Sequence, residues 1–190
     1  MSTDVLERSY ATVGSVLANL KDDQLDDQTP CALWKVRDIV NHVVGGTTFF
    51  AIAAETGSAP QDEASESPDF AGGDFRAEFA AGSKRAIDAF RIEGVMEKTI
   101  DLGFMEVPGA AVVGIASTDA FVHAWDIAKA TGQSLDLDPE LAAQMLERAR
   151  HMVRPDFRGE EGKAPFGPER PADESAPPAT RLAAFMGRQT

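Results

Sequence analysis

The sequence predicts an all-α protein, a four-helix bundle with one short extended interruption. Apolar residues recur at spacings of three and four over several long stretches, the signature of amphipathic helices packed on a common core. Strand-like alternation is confined to a weak run from Thr99 to Val107 around Gly103, which suits a short hairpin or an extended crossover. The chain has 190 residues, 43% of them hydrophobic and 26% charged, a length and balance that fit one domain spanning 1–190 with one core.

The elements follow in order. Val5, Val13, Val16, Leu17 and Leu20 form an apolar stripe and predict a first helix from about Asp4 to Lys21. Lys21 to Pro30 is acidic and turn-forming, and the Thr29-Pro30 pair keeps the residue before proline out of the helical region, so this stretch is read as a loop. Val36, Ile39, Val40, Val43, Val44, Thr47, Phe50 and Ala51 then repeat with helical period, giving a second helix from Val36 to Glu55 with Trp34 packed on its first turn. Gly57 to Asp74 is rich in Ser, Pro, Gly, Ala and acids, too poor in apolar area to offset its ordering entropy, and is expected to be a mobile surface loop.

Phe75, Phe79, Ala86 and Phe90 mark a third helix from Asp74 to Ile92, although Gly82 on the same stripe costs about 1 kcal/mol against alanine. After Pro108-Gly109, a fourth helix from Ala111 to Thr131 carries a narrow stripe of Val113, Ala116, Ala120, Ala124 and Ile127, with Gly132 as its stop. A fifth opens with Asp138 as N-cap and Pro139 at its first position, and turns Leu141, Met145, Leu146, Ala149, Met152 and Val153 inward. Beyond Pro155 the chain is a tail, except for one short docking helix from Ala179 to Met186.

Charge and composition exclude several functions. With 31 acidic against 18 basic residues the net charge is -13, which repels nucleic-acid phosphates and anionic lipid, so neither nucleic acid nor membrane is expected as a partner. No eighteen apolar residues run together, and Met1-Ser2-Thr3-Asp4 lacks the basic start and apolar stretch of a secretory signal, so a cytoplasmic protein is expected. Cys31 is the only cysteine, which rules out an intramolecular disulfide and any zinc site needing two thiolates from one chain. Gly-rich phosphate loops are absent from the sequence.

The most informative local pattern is Asp119-x-x-x-His123-x-x-Asp126, whose spacings of four and seven put three polar side chains on one face of the fourth helix. That face overlaps the alanine stripe, so each group needs a partner, and a metal ion is one candidate. His42 lies on the edge of the apolar arc of the second helix, where a bundle can bring it opposite. Two imidazoles and a carboxylate suit zinc, nickel or ferrous iron with positions left open for water and substrate. On spacing alone the same residues read more readily as ordinary buried histidines and a solvated helix acid, because an acid-x-x-x-His pair is common on helices. Asp126 reads either as an acceptor for a ligand imidazole or as a helix acid paired with Lys129. His151 falls on the polar or boundary side of the fifth helix, Cys31 reads as a loop or core thiol, and Trp34 and Trp125 as packing residues, Trp125 being placed to border a pocket with Phe49.

Three blocks carry a resemblance. They are Thr29-Pro30-Cys31 with Trp34-Lys35-Val36-Arg37-Asp38-Ile39-Val40-Asn41-His42-Val43-Val44-Gly45-Gly46, then Asp119-Ala120-Phe121-Val122-His123-Ala124-Trp125-Asp126-Ile127-Ala128-Lys129-Ala130-Thr131-Gly132, then Arg181-Leu182-Ala183-Ala184-Phe185-Met186-Gly187-Arg188. In this order they resemble actinobacterial proteins related to the metal-binding domain of mycothiol-dependent maleylpyruvate isomerase, within the DinB-like superfamily. The resemblance implies an up-down-down-up bundle with a divalent metal, zinc first and nickel or iron next, held by His42, Asp119 and His123. Asp126 is then an outer acceptor. The isomerase has glutamate where this chain has Asp119. Lys35 stands where relatives carry a capping residue, which predicts a helix start weaker by about 1 kcal/mol.

The function this implies is metal-dependent activation of a small thiol of the mycothiol type, for transfer to an electrophilic small molecule or for its isomerisation. The rival expectations are a metal-containing binding or stress-response module without turnover, and a purely structural bundle. A homodimer through an exposed helix face is the oligomer to test for.

Overall fold

The computed structural model describes residues 3–60, 68–160 and 163–190. Six helices carry the fold: α1 (Asp4–Asn19), α2 (Val36–Thr56), α3 (Phe75–Phe90), α4 (Gly109–Ala130), α5 (Pro139–Met152) and α6 (Pro178–Phe185). Strands β1 (Thr99–Asp101) and β2 (Glu106–Pro108) pair antiparallel with Ile100 opposite Val107, the hairpin that the weak alternation predicts.

Contacts at the helix ends set the directions. Glu7 pairs with Arg91 at 3.0 Å and Arg76 donates to the Leu17 carbonyl at 3.0 Å, so α1 and α3 run in opposite senses. Gln133 donates to the Val16 carbonyl and Gln24 to the Thr131 carbonyl, each at 3.2 Å, which puts the C-terminal ends of α1 and α4 together. The hairpin joins the other ends, since Asp101 N–H donates to Gly57 O and Gly109 N–H to Lys98 O. The bundle is therefore up-down-down-up.

Leu6, Val13, Leu17, Val36, Ile39, Val40, Phe75, Phe79, Ala86, Phe90, Val112, Ala116 and Ala124, from all four of α1, α2, α3 and α4, share the core of the bundle. A second cluster packs Phe121, Val122 and Trp125 of α4 against Leu141, Met145 and Leu146 of α5 and Leu182 and Phe185 of α6. Helix α4 is thus buried on both sides, and the narrow stripe read from its alanines is only the face toward the bundle. Trp125 does not border a pocket: it is fully buried in the second cluster and its indole N–H donates to Thr180 Oγ1 at 3.1 Å.

Several expectations need correction. Helix α1 stops at Asn19, where the Arg76 guanidinium binds the Leu17 and Leu20 carbonyls. The loop after it contains a 3-10 turn at Asp22–Gln24. The start of α2 is capped from inside, since Asp38 accepts the Lys35 N–H at 2.8 Å. The expected mobile loop over 57–74 falls partly on residues 61–67, outside the described residues. Its flanks are held: Ala59 N–H donates to Asp101 O at 2.6 Å, and the 3-10 turn Phe70–Gly72 is pinned by Ala71 N–H donating to Asn41 Oδ1 at 2.8 Å.

Gly82 is explained by the approach of α2 and α3. A Cβ there would lie 2.0 Å from Thr47 Oγ1 and 3.0 Å from Thr47 Cβ, and the Thr47 hydroxyl is buried and donates to Val44 O. Gly82→Ala therefore destabilises the protein by about 1–3 kcal/mol despite the better helix propensity of alanine, because the overpacking cost outweighs it. Chemical denaturation measures this, and Thr47→Ala in the same chain should recover most of the loss. A more stable Gly82→Ala protein would contradict the packing described.

Candidate metal centre

His42 sits in the second turn of α2, whose Val36, Ile39, Val40 and Val43 are buried in the core and fix its rotation. Asp119 and His123 stand one turn apart on α4, as the four-residue spacing predicts. Because α2 and α4 cross in opposite senses, the two imidazoles and the carboxylate converge. His42 Nε2 lies 3.0 Å and 3.2 Å from the two Asp119 oxygens, and His123 Nε2 lies 3.6 Å from Asp119 Oδ1. One donor atom from each residue falls within 4.8 Å of the others.

This spacing fits a small divalent cation. Tetrahedral bonds of about 2.0–2.1 Å put neighbouring donors about 3.3 Å apart, close to the 3.0–3.6 Å that separate Asp119 from the two imidazoles. The nitrogen and oxygen donor set suits zinc, nickel or ferrous iron. The side chains of His42 and Asp119 are about one-third exposed and that of His123 is 8% exposed, so the cluster has a solvent side and a buried back.

Trp34 forms a wall of the cluster. Its ring stacks on His123 with centroids 5.3 Å apart and a 23° interplanar angle, and leans over His42 at 4.8 Å. It is held there by the turn before α2, in which Trp34 N–H donates to Cys31 O and the Thr29 hydroxyl donates to Trp34 O. Sequence reasoning placed Trp34 as a packing residue ahead of the helix. That position also lays it across the ring of His42, and no periodic signal reports this.

At the back, Asp126 is fully buried and lies 3.0 Å from His123 Nδ1. A carboxylate only accepts, so His123 donates from Nδ1 and its Nε2 lone pair faces the cluster. Asp126 also accepts from Arg188 Nε at 3.0 Å and 3.1 Å. The hydrogen bonds of Asp126 thus run to His123 and Arg188. Tyr10, the single tyrosine, is buried on α1 with a hydroxyl that has no hydrogen-bond partner among the described residues. Burial raises its pKa, and the charge of Asp119 raises it further.

His151 is exposed at the far end of α5 and pairs with Glu147 at 3.1 Å, outside the cluster. Cys31 lies in the turn that holds Trp34 and packs partly against the core.

Burial disfavours the charged forms of both His42 and Asp119, yet their attraction outweighs it. His42 is raised above the ordinary imidazole range by the charge of Asp119 and their hydrogen bond. Asp119 is held below the ordinary carboxylate range by His42, with smaller contributions from His123 and Arg188. A raised His42 stabilises the metal-free protein fully below its unfolded-state value of about 6.5, and less as pH rises through the folded-state value. A lowered Asp119 stabilises it above its unfolded-state value of about 3.9, and less as pH falls through the folded-state value. The pair is thus most stabilising between about pH 4 and 6.5. Affinity for a zinc ion at this cluster would run the other way and rise with pH, because His42 would have to lose its proton to ligate. Denaturation midpoints and zinc competition titrations over this range check both trends, and Asp119→Asn should flatten the first. Identical stability profiles for the two proteins would contradict the pairing.

The family described as the mycothiol maleylpyruvate isomerase N-terminal domain matches residues 6–128, a span that contains His42, Asp119 and His123. Uncharacterized proteins of Mycobacterium tuberculosis strains CDC 1551 and H37Rv are each 42% identical over 182 residues, covering 96% of this chain and 94% of theirs. The crystal structure of the mycothiol-dependent maleylpyruvate isomerase superposes with a TM-score of 0.58 at 15% identity. That match covers 76% of this chain and 65% of the isomerase, so the chain spans just under two thirds of its length and the likeness is one of fold. On its profile match and its 42% identical relatives, this chain belongs to the mycothiol maleylpyruvate isomerase N-terminal domain family.

Proposed function

We propose that residues 1–190 act as one metal-binding bundle that activates a small thiol of the mycothiol type, for transfer to an electrophilic small molecule or for its isomerisation. The observation that carries this reading is the convergence of His42 Nε2, His123 Nε2 and the Asp119 carboxylate on a point with one solvent-facing side. Family membership supplies the thiol, because the named relative depends on mycothiol.

The ligand set would be His42, Asp119 and His123. A divalent cation held there lowers the pKa of a thiol and favours its thiolate at neutral pH. The residues supply the rest. Asp119 brings one negative charge and the imidazoles none, so the site keeps a net positive charge that attracts an anionic sulfur. His42 and Asp119, the more exposed pair, form the rim through which a thiol enters. His123, pinned by Asp126, forms the fixed back. Trp34 covers both imidazoles and keeps water from that side. In transfer, the thiol proton leaves to solvent, sulfur bonds to the electrophilic carbon, and the bond from that carbon to its leaving group breaks, the electron pair departing with the leaving group. In isomerisation, sulfur adds to a conjugated double bond and is expelled after rotation, which regenerates the thiol.

Cobalt-substituted protein tests this reading. Titration with mycothiol should produce a sulfur-to-cobalt charge-transfer absorption that saturates, and His42→Ala should abolish it with the bound cobalt. Glutathione at the same concentration tests the choice of thiol. A cobalt spectrum that mycothiol leaves unchanged would remove the thiol reading and favour a metal-containing binding module. Failure to bind cobalt or zinc would remove both.

A further inference from the structure

We propose that Arg188, beyond the family-matched span, is a positioning residue for the metal centre, acting through Asp126 to fix the ring of His123. The inference rests on the metal reading above only for its zinc-affinity arm. Its structural arm concerns a hydrogen-bond chain present without metal.

The aim of Arg188 is built into the end of α6. Gly187 N–H donates to Ala184 O at 3.0 Å and Arg188 N–H to Ala183 O at 2.9 Å, the paired bonds of a Schellman motif. The motif needs a left-handed residue, and Gly187 has a φ of 99°. A Cβ at Gly187 would also lie 2.6 Å from Gly167 Cα, so close approach of the preceding chain requires glycine as well. The residue after this turn is thereby directed back toward α4. Its side chain is 17% exposed and its Nε donates to both oxygens of Asp126.

Asp126 depends on that contact. It has no solvent exposure, and a carboxylate removed from water needs an opposite charge and donors to its oxygens. Arg188 supplies the charge and one donor, and His123 Nδ1–H supplies the other. With Arg188 in place, Asp126 has a fixed orientation and holds the Nδ1–H tautomer of His123, leaving Nε2 free to ligate. Without it, Asp126 is a buried acid with an imidazole alone and has reason to rotate, and the tautomer is no longer fixed. The family match ends at residue 128, sixty residues before Arg188, so the chain completes its site with a part outside the matched domain.

The test uses the full chain with two variants that disturb the chain of contacts differently. Arg188→Gln removes the charge at similar length, and Gly187→Ala keeps the arginine but disrupts its aim. In metal-free, nitrogen-15-labelled protein, His123 should be protonated at Nδ1 in the wild type, and both variants should move it toward the Nε2–H form or a mixture. Zinc affinity by chelator competition should fall about 10- to 100-fold in both. Thr180→Val is the control for a loosened tail, since it removes the Trp125 hydrogen bond to α6 without touching Asp126, and should leave the His123 tautomer as in the wild type. An unchanged tautomer in Arg188→Gln, or an equal change in Thr180→Val, would overturn the proposal. If wild type binds no zinc, the metal reading fails and the tautomer measurement still decides this one.

Discussion

Helix α4 is enclosed on both sides, by the bundle on one and by α5 and α6 on the other, and its polar side chains therefore need partners inside the protein. Asp119, His123 and Asp126 occupy three successive turns of this helix. The innermost, Asp126, is closed off from water and is neutralised by Arg188. His123 is nearly closed off and is shared between Asp126 and the cluster. Asp119, the outermost, meets His42 from α2. The gradient from a buried ion pair to a solvent-facing carboxylate is set by position along one helix. It gives the cluster a rigid back and an accessible front.

The rest of the fold serves this arrangement. The opposite senses of α2 and α4 bring a histidine near the start of one helix against an acid at the middle of the other. The turn before α2 lays Trp34 over both imidazoles. Asn41, next to His42, ties the 3-10 turn Phe70–Gly72 to α2 through the Ala71 amide. Phe70 packs beside Gly45, where a Cβ would lie 3.6 Å from its ring. Close packing of α2 on α3 at Thr47 and Gly82 holds the histidine-bearing helix in register. A pair of helices that slid by one residue would separate His42 from Asp119.

Much of this was legible in the sequence because the signals are local. Periodicity located the helices, Pro139 after Asp138 marked the start of α5, and the four-residue spacing of Asp119 and His123 put them on one face. The resemblance supplied the pairing with His42, which spacing alone left open. Three features were not legible, each for a physical reason. Trp34 becomes a wall of the site through a turn whose path depends on the Thr29 hydroxyl, a contact without periodicity. Asp126 and Arg188 are 62 residues apart, and their meeting depends on how α6 docks. Gly82 reads as a helix-weakening residue until the neighbouring Thr47 is seen. Trp125 packs as its sequence position suggested, and the added expectation of a pocket wall fails because α6 covers it.

The central claim is that His42, Asp119 and His123 form one divalent metal site. It is tested most directly by elemental analysis of protein purified without a histidine tag, with His42→Ala, Asp119→Ala and His123→Ala in parallel. The account predicts near-stoichiometric zinc, nickel or iron in the wild type and its loss in all three variants, with helix content retained. Wild-type protein that stays metal-free after supplementation, or metal retained in the variants, would contradict it.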